Sequence, residues 1–359
     1  MNMIRLYDHL ASKSVNWLPL ALCFWIGTAF IGVSVGGELE VIAVDKIGHA
    51  ILFINPETRK VIHSFPTPAR PHVVAISPDG QTAVVPIYGD GIYGNNPNPG
   101  HHILVIDLPS RSIRNTIDIA PLKAPHQGVF AVDGRCYITC EDSGVVAIVD
   151  IEQRTVLGTI TNGSTGCHRM VITRDGKTVF TENEDAGKFV SVLDTEKKDL
   201  CRRIALDTSM QGIALSPNDS TLILLTGDGP QLKVIDAKNF KHVSDVRLKN
   251  HKQPAQIANF TPDGKYLLVS SFSEPLLTIM RADDLQSQQT LKIGEGPMDM
   301  AFHPDGNTVW VANHNEGSIS IVSISPFKES HRSAAGKGVE TLAFYDRSTF
   351  DVRLHSNGK

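Results

Sequence analysis

The sequence predicts an all-β fold, a seven-bladed β-propeller of four-stranded antiparallel blades. Three observations carry this expectation. One short pattern recurs six times, as PHVVAISPDG, PHQGVFAVDG, CHRMVITRDG, MQGIALSPND, AQIANFTPDG and PMDMAFHPDG. Its turn residues (Asp79, Asp133, Asp175, Asn218, Asp263, Asp305) are spaced by 54, 42, 43, 45 and 42 residues, and a β-rich period near 40–45 is the mark of propeller blades. The chain ends are complementary: three strands without a leading partner at the start, and a lone strand VETLAFYD near residue 346.

Each repeat reads as one blade. After His126, GVFAV alternates into a first strand and Asp133-Gly134 makes a turn. CYITC is a second strand, VVAIVD a third and TVLGTI a fourth, separated by Asp, Glu, Gly and Ser. The next repeat gives HRMVIT, KTVFTE, FVSVLD and LCRRIAL. At the N-terminus, LEVIAVD, HAILFIN and KVIHSF supply three strands, so the C-terminal strand is expected to close the first blade and remove the free edges. The polar segment Lys328 to Lys337 reads as a surface loop. The domain division is 1–35, a signal peptide or membrane anchor; 36–346, the propeller; and 347–359, a polar tail.

The 19-residue uncharged run Trp17 to Val35 follows Arg5 and Lys13 and ends among small residues. This fits a secretory signal, and its length also permits a single membrane anchor. The expected location is secreted or periplasmic, or membrane-anchored with the propeller outside the cytoplasm. A net charge of −4, with no basic cluster interleaved with aromatics, argues against nucleic-acid binding. The five cysteines lack a disulfide spacing and read as buried small hydrophobes. A monomer acting on a small molecule is expected.

Seven places before each turn residue stand His72, His126, His168, Gln211, Gln256 and Met298. Equivalent positions in a propeller form a ring around the axis. The turns between second and third strands share that rim and bring Glu141 and Glu182 toward His126 and His168. About ten extra residues in the His72 blade form YGDGIYGNNPNPGHH, read as a lid carrying Tyr88, Tyr93 and His102. Three histidines with an open position suit Zn²⁺, and an added carboxylate suits Fe²⁺ or Mn²⁺. Propeller channels also hold structural, water-bonded histidines, and that reading stays open. No HExxH, Walker, GxGxxG or GxSxG pattern occurs.

Segments such as GKTVFTENEDAGKFVSVLD and GNTVWVANHNEGSISIVSI resemble the YVTN-type repeats of β-propeller proteins, lactonase-like members included. The resemblance covers Leu39 to about Ser325. It implies the fold; taken with the apolar run and the histidine ring, the leading expectation is an exported enzyme performing metal-assisted hydrolysis or isomerisation of a lactone-like substrate. His72, His126 and His168 would then be metal ligands; His126, His168, Glu141 and Glu182 would be catalytic. Gln211, Gln256, His102, Tyr88 and Tyr93 would contact substrate. A non-catalytic binding propeller and a haem- or quinone-bearing redox propeller are the alternatives, because fold does not determine chemistry.

Overall fold

The computed structural model describes residues 39–92, 94–184 and 187–347. The apolar run at 17–35, Tyr93, Asp185 and the tail from 348 lie outside them.

The turns explain why the sequence repeats. In every blade from the second to the seventh, the turn acid or amide accepts a backbone N–H from two residues on, at 2.8–3.1 Å: Asp79 from Gln81, Asp133 from Arg135, Asp175 from Lys177, Asn218 from Ser220, Asp263 from Lys265 and Asp305 from Asn307. The residue after it has positive φ, from 58° at Asp219 to 85° at Gly134. Glycine adopts that conformation without steric penalty, and the Asx side chain satisfies the turn's amides.

Seven antiparallel sheets result. Blade 3 is Pro125–Phe130, Cys136–Cys140, Val145–Asp150 and Thr155–Thr161, and blade 4 is Cys167–Ile172, Thr178–Asn183, Phe189–Asp194 and Asp199–Ala205. Blades 5, 6 and 7 begin at Met210–Leu215, Ile257–Phe260 and Pro297–Phe302. Blade 2 has a broken inner strand (Arg70–Pro71 and Ala75–Ile76) before Thr82–Gly89, Pro99–Asp107 and Ser112–Asp118. Among the described residues there is no α-helix. The core lies between blades: Val84 and Ile103 of blade 2 pack with Ile138 and Ala147 of blade 3. The described cysteines Cys136, Cys140 and Cys167 are buried free thiols, and Cys201 is exposed.

Two expectations change. Lys328–Ala334 is not a loop but the fourth strand of blade 7. It faces solvent, as Thr155–Thr161 and Lys241–Arg247 do, and an outermost strand buries too little to need apolar alternation. The insertion in blade 2 is largely a lengthened hairpin. Pairing runs on through Ile87↔His102 to Gly89↔Pro99, so His101 and His102 are strand residues. A Cβ at Gly100 would meet the Ile87 carbonyl oxygen at 1.9 Å, which is why glycine stands there.

The first blade joins the chain ends. Val339–Asp346 pairs with Leu39–Asp45 from Leu39↔Asp346 to Val44↔Thr341, followed by Ala50–Asn55 and Lys60–Pro66. Leu342 and Val339 pack with Trp310 and Ile319 of blade 7. Asp45 accepts the amides of Gly338 (2.8 Å) and Lys337 (2.9 Å). Buried Glu40 receives Arg111 through Nε (2.9 Å) and Nη2, the Tyr345 hydroxyl and Arg347 Nη1 (3.2 Å). Burial pushes the Glu40 carboxyl up, but Arg111 and Tyr345 outweigh it and hold it below its ordinary value.

Removing this charge strands the arginines at the seam. Glu40→Ala should lower unfolding free energy by about 3 kcal/mol, whereas exposed Glu57→Ala should change it by about 0.5 kcal/mol or less; urea denaturation measures both.

Candidate functional site

The inner strand of each blade starts at the axis, so the residue at or beside its start faces six counterparts. His72, His126, His168, Gln211, Gln256 and Met298 all line one axial cavity of about 370 Å³. Blade 1 completes the ring with Glu340. That residue follows Met298 by 42 residues, so it keeps the repeat's period.

The three imidazoles form a stepped row, with ring centroids 4.0 Å apart for His72 and His126 and 4.1 Å for His126 and His168. His168 Nδ1 lies 2.7 Å from Glu182 Oε1 and 3.2 Å from Glu184 Oε2. Glu141 Oε1 stands 3.9 Å from His126 Nε2 and 3.7 Å from His168 Nε2, and its other oxygen accepts the Tyr88 hydroxyl. His126 Nδ1 is buried without a hydrogen-bond partner, as is Gln256 Oε1. Across the ring, Lys46 Nζ is 2.9 Å from both Glu340 Oε1 and His72 Nε2, and His314 Nδ1 is 2.8 Å from Glu340 Oε2.

The two halves are electrostatically unlike. Burial pushes the Glu141 carboxyl up to about 7, reinforced by Glu184 and Glu182 and only partly opposed by His168 and Tyr88. Burial pushes Glu340 up as well, but Lys46 first, then the hydrogen-bonded His314, overcome it and hold that carboxyl well below its usual range. Burial, then the cationic surroundings, keep His72 and His126 far below ordinary histidine basicity. Both imidazoles are neutral at physiological pH.

Of the other expected residues, Tyr88, Gln211 and Gln256 line the cavity. Glu182 is fully buried behind His168. His102 stands apart from the cavity residues, its ring tilted against that of His101 with centroids 4.1 Å apart, and His101 binds Asp118 (2.8 Å). Sequence reasoning missed Lys46, Arg169 and Glu340. Arg169 was visible as the neighbour of a ring histidine. Glu340 was visible through its spacing, although no Asp-Gly turn follows it. At the cavity mouth, Ile47 and Ile92 are 46% and 59% exposed, beside Phe272 and Met298.

Residues 98–358, well over half of the chain, match the family model of the cytochrome D1 heme domain. The chain belongs to that family. Similar solved structures include hydrazine synthase of Kuenenia stuttgartiensis, at 17% identity, TM-score 0.65, covering 78% of this chain and 93% of that one. Another is the dihydro-heme d1 dehydrogenase NirN in complex with DHE, at 13% identity, TM-score 0.62, covering 82% and 63%. These likenesses are of fold. The COMPASS component SWD3 of Saccharomyces cerevisiae is 22% identical over 203 residues, 55% of this chain and 60% of that protein. The chain thus matches less than two thirds of that relative's length.

Membership of a haem-domain family overturns two expectations, lactone hydrolysis or isomerisation and a Zn, Fe or Mn ion as cofactor. The geometry supplies a physical reason. Ligand atoms of His126, Glu141 and His168 do lie within 4.8 Å of one another. His72, the expected third imidazole ligand, instead meets the Lys46 ammonium at 2.9 Å, so the three imidazoles do not present a common set of free lone pairs.

Two outcomes follow. Glu340→Gln should destabilise the protein by about 3–5 kcal/mol by leaving Lys46 buried and unpaired, and the double variant Lys46→Met/Glu340→Met should recover most of it; paired denaturation curves decide. Glu141 holds its proton in the folded state to about pH 7, against an ordinary value of 4.5. Folding therefore takes up a proton between those pH values, and this group's stabilisation, complete below 4.5, is lost as pH rises through 7. Glu141→Gln should remove that downward slope from a stability–pH curve.

Proposed function

We propose that this propeller binds a haem-type tetrapyrrole in the axial cavity and works as a redox protein. The observation that carries the reading is the amphiphilic build of the cavity, an apolar mouth of Ile47, Ile92 and Phe272 over a ring that holds Met298 and the neutral imidazoles of His72 and His126. A flat aromatic macrocycle with charged substituents asks for both. The family match supports the same ligand class. The residues present fit: His126 Nδ1 is a buried imidazole nitrogen with nothing in the protein to bind, and Met298 adds a thioether on the same ring.

His126 and Met298 are the side chains that would hold the iron, since imidazole and thioether are established haem ligands. Arg169 and Arg70, on the cavity wall, would pair with the ligand's carboxylates. When bound, the group would supply one-electron exchange. Glu141, with a carboxyl near neutral affinity beside His126 and His168, holds or releases a proton at its oxygens, and Tyr88 keeps it oriented. The buried floor keeps bulk water from these groups.

The likeness to YVTN-type repeats is read as one of blade construction. The run at 17–35 supports export, by a cleaved signal or a retained anchor, with the propeller acting on a small-molecule ligand as a monomer. These assignments rest on sequence alone.

Titrating the purified protein with haem d1 and, separately, with iron protoporphyrin IX should give a saturable change in the visible spectrum with at least one of them. His126→Ala should weaken that binding about tenfold or more, and His303→Ala, on the opposite rim, should leave it unchanged. No spectral change with either compound would refute the reading.

A further inference from the structure

The three ring histidines have different nitrogen chemistry, set by what each touches. His168 Nδ1 faces the carboxylates of Glu182 and Glu184. A carboxylate accepts, so that nitrogen carries the proton. His72 faces the opposite kind of group. A lysine ammonium has three donors and no acceptor. Lys46 Nζ lies 2.9 Å from His72 Nε2 and 2.9 Å from Glu340 Oε1, so both partners must accept. Glu340 does so as an ionised carboxylate, held in that form by Lys46 and by the hydrogen bond to His314. His72 does so only if Nε2 offers its lone pair, which places the proton of the neutral ring on Nδ1. That nitrogen is buried and has no hydrogen-bond partner in the protein, while the ring itself lines the axial cavity.

We propose that Lys46 is a positioning residue: it locks His72 in the Nδ1–H tautomer, so that this ring offers an axial ligand a hydrogen-bond donor where His126 offers a lone pair. The complementary ligand group is an oxygen acceptor, either a carboxylate of a tetrapyrrole or a small free oxyanion. Arg169 reinforces that preference, since it lines the same cavity and its Nε is buried without a partner. The inference rests on the axial cavity being the ligand site; it does not require the ligand to be a haem.

The test reads tautomers by long-range ¹H–¹⁵N NMR on the full-length, ligand-free protein with ¹⁵N-labelled histidine, assigning His72 from the signals lost in His72→Gln. In the wild type, Nδ1 should appear in the protonated range and Nε2 in the unprotonated range. Lys46→Met should reverse this, because Nε2–H can then donate to Glu340 Oε1, now 3.5 Å away. Lys46→Arg should preserve it. Formate and iron-free protoporphyrin IX are then added separately. A shift of the His72 Nδ1–H signal with formate identifies a small-oxyanion site, and a shift with the porphyrin alone identifies a tetrapyrrole carboxylate; either supports the donor role. An Nε2–H tautomer in the wild type overturns the proposal whether or not the variants fold. So does an Nδ1–H tautomer that persists in Lys46→Met, or an Nδ1–H signal that neither probe moves. A failure of haem titration leaves the tautomer result standing, so the two readings fail separately.

Discussion

The pairing of residues 339–346 with residues 39–45 is the constraint on which the rest depends. A propeller blade buries its faces only against its neighbours, so an unclosed ring would leave two sheets half solvated and one strand edge open. The seam is therefore reinforced by charge as well as by apolar contact. Asp45 caps the loop that enters the closing strand, and Glu40 gathers two arginines and a tyrosine at the other end. The same pairing carries Glu340 to the axis and sets Lys46 beside it. Structural closure and site assembly are one event.

The axial ring shows how one geometry yields different chemistry from like residues. Glu141 and Glu340 are both buried carboxyls within reach of imidazoles. One has other carboxylates around it and retains its proton near neutrality; the other has an ammonium and stays ionised. Environments that push two carboxyl affinities apart are how a site separates proton-holding from charge-holding roles. The imidazoles divide in the same way, by the sign of the group each one meets.

The blades were legible because each depends on local chemistry. Asp-Gly and Asn-Asp turns, strand alternation and a constant period all lie within about 45 residues, and the ring from His72 to Met298 followed from that period. Glu340 obeys the same spacing, yet its strand runs on to Tyr345 and Asp346 without the turn that marked the other six. Lys46 had no repeat signal, because its blade is split between the two ends of the chain. The strand at Lys328–Ala334 was hidden for a different reason: a solvent-facing edge strand keeps polar residues on both faces. The ligand class was not legible either. Imidazoles serve a bare cation and a haem iron alike, so the ring by itself left several ligand classes open; the family match, and the Lys46 ammonium that folding sets beside His72, are what count against the bare cation.

The split first blade also gives the site a birth order. His72, His126 and His168 leave the ribosome early, but the carboxylate that holds Lys46 is the seventh ring member and emerges some 170 residues after His168. Until then Lys46 lacks its counter-ion and the strand at 39–45 lacks an inner partner. A partly synthesised chain can build blades 2 to 7 in sequence while its ligand cavity stays incomplete. The axial ring is thereby completed only when residues 339–346 pair with residues 39–45, so the order of synthesis leaves its charge balance until last.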